Sequence, residues 1–161
     1  MKRRSRTRGA TLPIVLILAA TMLVTTAAWL QTSLVAARAS VATRERAQAL
    51  HAADSALIRC SRMLSLALPS MNSSLKVEPS RWRAKTSFEG PFAAAITPFA
   101  SWPYARRAPQ CLIESWANAS YLITARGFGA TADSEAWLQL RLDIADGVSA
   151  RHWRRVVGRP F

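Results

Sequence analysis

Between Arg8 and Arg38 the chain carries no charged side chain, and the stretch 10–30 within it is strongly apolar. At about 1.5 Å per residue that stretch spans roughly 30 Å as a helix, the hydrocarbon thickness of a bilayer. A secretory signal has a shorter apolar region, about 7–15 residues, followed by a small-residue cleavage site and a polar segment. None of that is evident here. The run therefore reads as a membrane-spanning helix, residues 10–37, behind a basic leader, residues 1–9. The leader concentrates Lys2, Arg3, Arg4, Arg6 and Arg8, against Arg38, Arg44, Arg46 and Glu45 beyond the apolar run. That asymmetry puts the N-terminus in the cytoplasm and the remainder across the membrane, facing the periplasm or the outside.

From Ala10 to Leu68 the only helix breaker is Pro13; the next Pro or Gly is Pro69. Past the membrane stretch, Leu50, Ala53, Leu57, Cys60, Leu64 and Leu68 recur at three- and four-residue steps, as on one face of an amphipathic helix. Arg44, Glu45, Gln48, Arg59 and Arg62 lie opposite. One continuous helix of about 55 residues is expected, its second part (38–68) packed on a domain formed by 69–161. Pro13 cannot donate to the carbonyl four residues back, and its ring clashes there. That carbonyl belongs to Gly9. Cleavage after Gly9 removes both costs, because Pro13 then sits in the first helical turn.

The stretch 69–110 is punctuated by Pro69, Pro79, Pro91, Pro98, Pro103 and Pro109. It is expected to form loops with short strands around 80–85 and 92–96. Two later runs alternate with period two. In 119–128, Tyr121, Ile123 and Ala125 oppose Leu122, Thr124 and Arg126. In 135–144, Leu138, Leu140, Leu142 and Ile144 oppose Trp137, Gln139, Arg141 and Asp143. Joined by a turn over 127–134, they predict an antiparallel hairpin covered on one face by the helix stripe. The fold class is thus α+β, a long helix on a small antiparallel sheet.

Cys60 and Cys111 are the two cysteines, and an oxidising compartment suits a disulfide between them. The alternative is two buried thiols. The sequence holds no HExxH, CxxC, Walker-A or GxSxG pattern, so metal, redox and hydrolase chemistry lack their spacing. No catalytic residue, metal ligand or cofactor is assigned. His51 and Asp54 read as helix-surface neighbours, and Asn118 begins a glycosylation-type sequon. The basic, aromatic segment RHWRRVVGRPF (151–161) is read either as an end strand or tail, or as a contact surface. Arginine charge and Trp153 stacking would suit polyanions such as DNA. Weak nucleic-acid binding at physiological salt is expected, with the segment mattering more for protein contacts.

These features resemble the type IV pilin-like proteins, and among them the PilX-type minor pilins. The resemblance begins at Arg8-Gly9-Ala10-Thr11-Leu12, which is similar to a prepilin peptidase site followed by the pilin helix. It continues through RERAQALHAADSAL (44–57), similar to the family's "AFQAAEAAL"-like run, and returns at CLIE (111–114), YLITARG (121–127) and EAWLQ (135–139). The stretch 69–110 has no counterpart. The resemblance implies cleavage between Gly9 and Ala10 by a prepilin peptidase, and a role in priming pilus assembly or at the filament tip. The implied partners are other minor pilins, the major pilin and the inner-membrane assembly platform. Most pilins carry Glu at the fifth residue after the cut, where this chain has Ile14. That departure argues against a major fibre subunit, since a charge in lipid is kept only for a partner. A type II secretion pseudopilin and a single-pass anchored periplasmic binding protein are the competing readings.

Overall fold

The computed structural model of the chain describes residues 11–67, 77–116, 120–131, 133–145 and 148–161. The processing site Gly9–Ala10, the sequon at Asn118 and Leu68 lie outside them. Two compact units divide the chain, Met1–Ala42 and Thr43–Phe161.

Helix α1 runs without interruption over Thr11–Ala67, 57 residues. Its stretch within the first unit is apolar and exposed, with Leu12, Ile14, Val15, Leu16, Ile17, Leu18, Leu23, Trp29 and Leu30 each more than half accessible. The helix is long and apolar enough to cross a membrane. Its hydroxyls fit that medium as well. Thr21 donates to the Leu18 carbonyl at 2.9 Å, Thr32 to that of Trp29 at 2.8 Å and Ser33 to that of Trp29 at 2.9 Å. Each of these hydroxyls is satisfied by its own helix, as a hydrocarbon environment demands.

In the second unit the same helix becomes buried along one face. Ala49, Ala52, Ala53, Ala56, Leu57, Cys60 and Leu64 are shielded from solvent, matching the expected stripe except that Leu50 is only half-buried. They pack on a four-stranded antiparallel sheet in the order β1 (Gln110–Trp116), β2 (Ser120–Phe128), β3 (Glu135–Ala145) and β4 (Val148–Val156). The expected hairpin is β2–β3, in the register Tyr121↔Leu142, Ile123↔Leu140 and Ala125↔Leu138. Those side chains share a core with Ala56, Leu57, Cys60, Leu64 and Cys111. Full burial of each large aliphatic residue there contributes about 1.5–3 kcal/mol.

Three expectations for the rest of the domain need correction. The stretch 80–85 is not a strand: Arg81–Arg83 and Lys85–Ser87 are 3₁₀ turns. The stretch 92–96 contributes only a single bridge, Ile96 to Cys111. Above all, the centre of the sheet is covered on both faces, while Arg151–Arg155 of β4 stay exposed. Every residue of β2 is buried, because Trp82 and Phe88 from the 3₁₀ segment pack on Leu112, Leu122 and Trp137 of the second face. Phe88 meets Trp137 edge to face at 5.0 Å between ring centroids, the favoured geometry for such a pair. The Pro-spaced segment thus folds back as an aromatic layer, and Trp82 satisfies its indole N–H on the Pro79 carbonyl at 3.0 Å. Glu45, expected on the free face of the helix, accepts a hydrogen bond from the Thr131 hydroxyl.

Candidate interaction surface

The structure joins Cys60 to Cys111, with Cα atoms 6.7 Å apart. This links the helix near the C-terminal end of its buried stripe to the second residue of β1. His51 is exposed and Asp54 half-buried on the helix. Among the described residues no group of three or more His, Cys, Asp or Glu side chains gathers in a metal-binding arrangement.

The second face of the sheet holds a buried polar network that the alternation pattern does not reveal. Arg126, near the C-terminal end of β2, is almost wholly buried. It donates from Nη1 to Glu89 and from Nη2 to Glu135, each at 2.8 Å. Its guanidinium also lies 4.7 Å from the Phe128 ring centroid and 5.1 Å from those of Trp137 and Phe161. The hydrogen bond from Arg126 holds the Glu89 carboxyl below the usual range, with the charges of Arg126, Lys85 and Arg107 adding to it against partial burial. One residue along the same face, Gln139 Nε2 donates to Thr124 Oγ1 at 2.9 Å, and Arg154 Nε donates to Gln139 Oε1 at 2.6 Å. The network fixes the aromatic layer to the sheet; each buried charge has a partner, as burial requires.

Glu114 on β1 is the second buried charge-bearing group. Its Oε1 accepts from the Arg81 backbone N–H at 3.0 Å, which holds the first 3₁₀ turn. Its Oε2 is buried with no hydrogen-bond partner among the described residues. Burial pushes the carboxyl above its ordinary range, against the backbone hydrogen bonds from Arg81 and Trp82. The only sequence sign of either site was a charged residue inside an otherwise apolar strand, namely Glu114 after Cys-Leu-Ile and Arg126 after Leu-Ile-Thr-Ala.

The basic segment 151–161 resolves into two parts. Arg151 to Val156 belong to β4, paired with β3 in the register Leu142↔Arg151, Leu140↔Trp153, Leu138↔Arg155 and Trp137↔Val156. The end-strand reading is therefore the observed one, although Val157 lies beyond the pairing and is exposed. Arg151, His152, Trp153, Arg154 and Arg155 are all exposed. Arg154 pairs with Glu78, and His152 stands 3.8 Å from Asp143. Arg151 and Arg155 have no ion-pair partner among the described residues. Beside the strand, Trp116, Leu122, Arg141, His152, Trp153 and Arg154 line a cleft of about 190 Å³. Arg141 sits over the Trp116 ring there at 4.5 Å.

No family model matches the chain, and neither the curated proteins nor the solved structures contain a match to it.

Proposed function

We propose that this chain is a minor pilin of a type IV pilus system, primed for assembly by removal of residues 1–9. It would be held in the inner membrane with its N-terminus in the cytoplasm and its sheet domain in the periplasm. After assembly it would sit at the filament tip with other minor pilins. The observation that carries this reading is the division of labour along one unbroken helix. Its first part exposes a continuous apolar surface, and its second part is buried on an antiparallel sheet and tied to it by a disulfide. A subunit that must leave the bilayer and stack by its helix needs both properties in one continuous helix. Ile14, exposed and uncharged, supports a rare subunit over a fibre-forming one, because it offers no carboxylate to a neighbouring amine.

The test is the N-terminal sequence of the mature protein from its native host. Cleavage between Gly9 and Ala10, reproduced by co-expression with a prepilin peptidase and blocked by Gly9→Val, is the expected result. A mature chain still beginning at Met1 would instead mark a single-pass anchored periplasmic protein. Association with pilus minor pilins, rather than with secretion components, separates this reading from a pseudopilin.

A further inference from the structure

The outer edge of the sheet is formed by β4, and no other described backbone segment hydrogen-bonds to it. An unpaired edge nine residues long is a template for another strand. The side chains along it specify which strand. On one face Arg151, Trp153 and Arg155 alternate, partnered across the sheet with Leu142, Leu140 and Leu138. Both arginines lack an ion-pair partner among the described residues, and Trp153 is half exposed. No acidic residue lies between Val148 and Val156. A second copy of β4 would set arginines against a uniformly basic strand, and like charges across a strand pair are destabilising. On the other face, the Trp116–Arg141–His152 cleft gives a side chain of an added strand somewhere to go.

We infer that β4 receives an extended acidic segment of a partner protein as a fifth strand. The segment carries carboxylates opposite Arg151 and Arg155 and an apolar side chain opposite Trp153. The spacing follows from the period of two: acidic residues four apart with an apolar residue midway, all on one face. Main-chain hydrogen bonds would supply the attachment, and the side chains its selectivity. The inference stands whether or not the leader is processed.

The test uses the full chain in detergent micelles and synthetic peptides as long as β4. One peptide has a Glu-Thr-Val-Thr-Glu core; a second replaces Glu with Lys. A third is the acidic peptide with alternate backbone amides N-methylated, and the fourth probe is a short single-stranded DNA. The acidic peptide should bind and slow hydrogen exchange of β4 amides. The Lys peptide and the N-methylated peptide should bind at least about tenfold more weakly, because one loses two cross-strand ion pairs and the other the ladder. The double substitution Arg151→Glu/Arg155→Glu, at two exposed positions, should reverse the preference toward the Lys peptide. Equal binding of the N-methylated peptide, or DNA binding tighter than the acidic peptide without protection of β4 amides, would reveal a polyanion surface and overturn the inference. Binding of none of the probes would show that the charges only keep the edge from self-pairing, which overturns it as well.

Discussion

At Gly127 the sheet comes so close to the helix that no side chain fits between them. A Cβ added there would lie 2.1 Å from the Ala49 carbonyl oxygen, 2.4 Å from the Ala53 nitrogen and 2.9 Å from the Ala53 methyl. Ordinary van der Waals contact begins near 3.4 Å, so Gly127→Ala must move helix and strand apart by about 1 Å. The two nearest atoms are backbone and cannot rotate away. Separation would loosen the close packing of Ala49 and Ala53 against Ala136 and disturb the larger core beyond it. Overpacking of a rigid core costs typically 1–3 kcal/mol and more where nothing can yield; about 3 kcal/mol or above is expected here. For a domain of this size that corresponds to a fall in Tm of about 10 °C. Thermal and urea unfolding of the disulfide-bonded protein would measure it. Gly158→Ala, with nothing within 4 Å of the added methyl, is the control and should change nothing. Ala53→Gly should fail to rescue Gly127→Ala, because it removes only the farthest of the three contacts. A Gly127→Ala variant within about 0.5 kcal/mol of the parent, the range of an ordinary surface change, would refute the close approach.

Three further outcomes are expected. Replacing both Cys60 and Cys111 by Ser opens a loop of about 52 residues and should cost about 4 kcal/mol on the loop-entropy account; two alkylatable thiols in the oxidised wild-type protein would contradict the disulfide. Arg126→Met should cost about 3–5 kcal/mol by leaving Glu135 and Glu89 without their buried partner, whereas Arg126→Met with Glu89→Gln and Glu135→Gln should recover much of it. A shift in urea midpoint equivalent to less than about 1 kcal/mol for the single variant would show that the network is not buried as described. Glu114 has a folded pKa raised by burial, so the folded state binds its proton more readily than the unfolded chain does. Its contribution is most favourable below the unfolded value of about 4.3 and declines as pH rises through the folded value. Glu114→Gln keeps an acceptor for Arg81 and should gain stability over wild type as pH rises from about 4 to 7; a difference that is flat or opposite in sign across that range would refute the assignment.

How much of this was legible in the sequence depends on whether a segment's burial repeats. The helix stripe and the β2–β3 register follow from periodicity, since Leu57, Cys60 and Leu64 meet Ile123 and Leu140 where the two periods place them. Gln139 and Arg126 misled for a physical reason. Their alternation with apolar neighbours marks them as the other face of the strand, and a polar face was read as a wet one. The aromatic layer keeps water out, and the polar groups bond to one another instead: Gln139 to Thr124, Arg126 to two carboxylates. The layer itself has no period to read. Trp82 and Phe88 are buried by what they fold back upon, and the 3₁₀ turn that carries Trp82 is held by a Glu114 far along the chain. At the turn Trp102–Ala105 the second-position Pro103 does signal a turn, but Tyr104 adopts φ 57° at a position where Gly or Asn would be expected, so its conformation is not announced by its residue type.

The same distinction separates the arginines that build the domain from those left to act on something else. Arg126 has surrendered its hydration to two carboxylates and three aromatic rings, and an added anion would have to displace those partners to reach it. Arg154 is held by Gln139 and Glu78. Arg151 and Arg155 are exposed, lack an ion-pair partner among the described residues and lie on a strand whose outer backbone edge is open. Exposed ion pairs are worth little singly, so two such charges alone would attract anions weakly and without discrimination. Aligned with a backbone ladder they act differently, because the ladder fixes the approach and the charges then decide which sequence can pair. Salt dependence should separate the two situations: shallow for a strand seated mainly by backbone hydrogen bonds, steep for a polyanion that binds by releasing counterions.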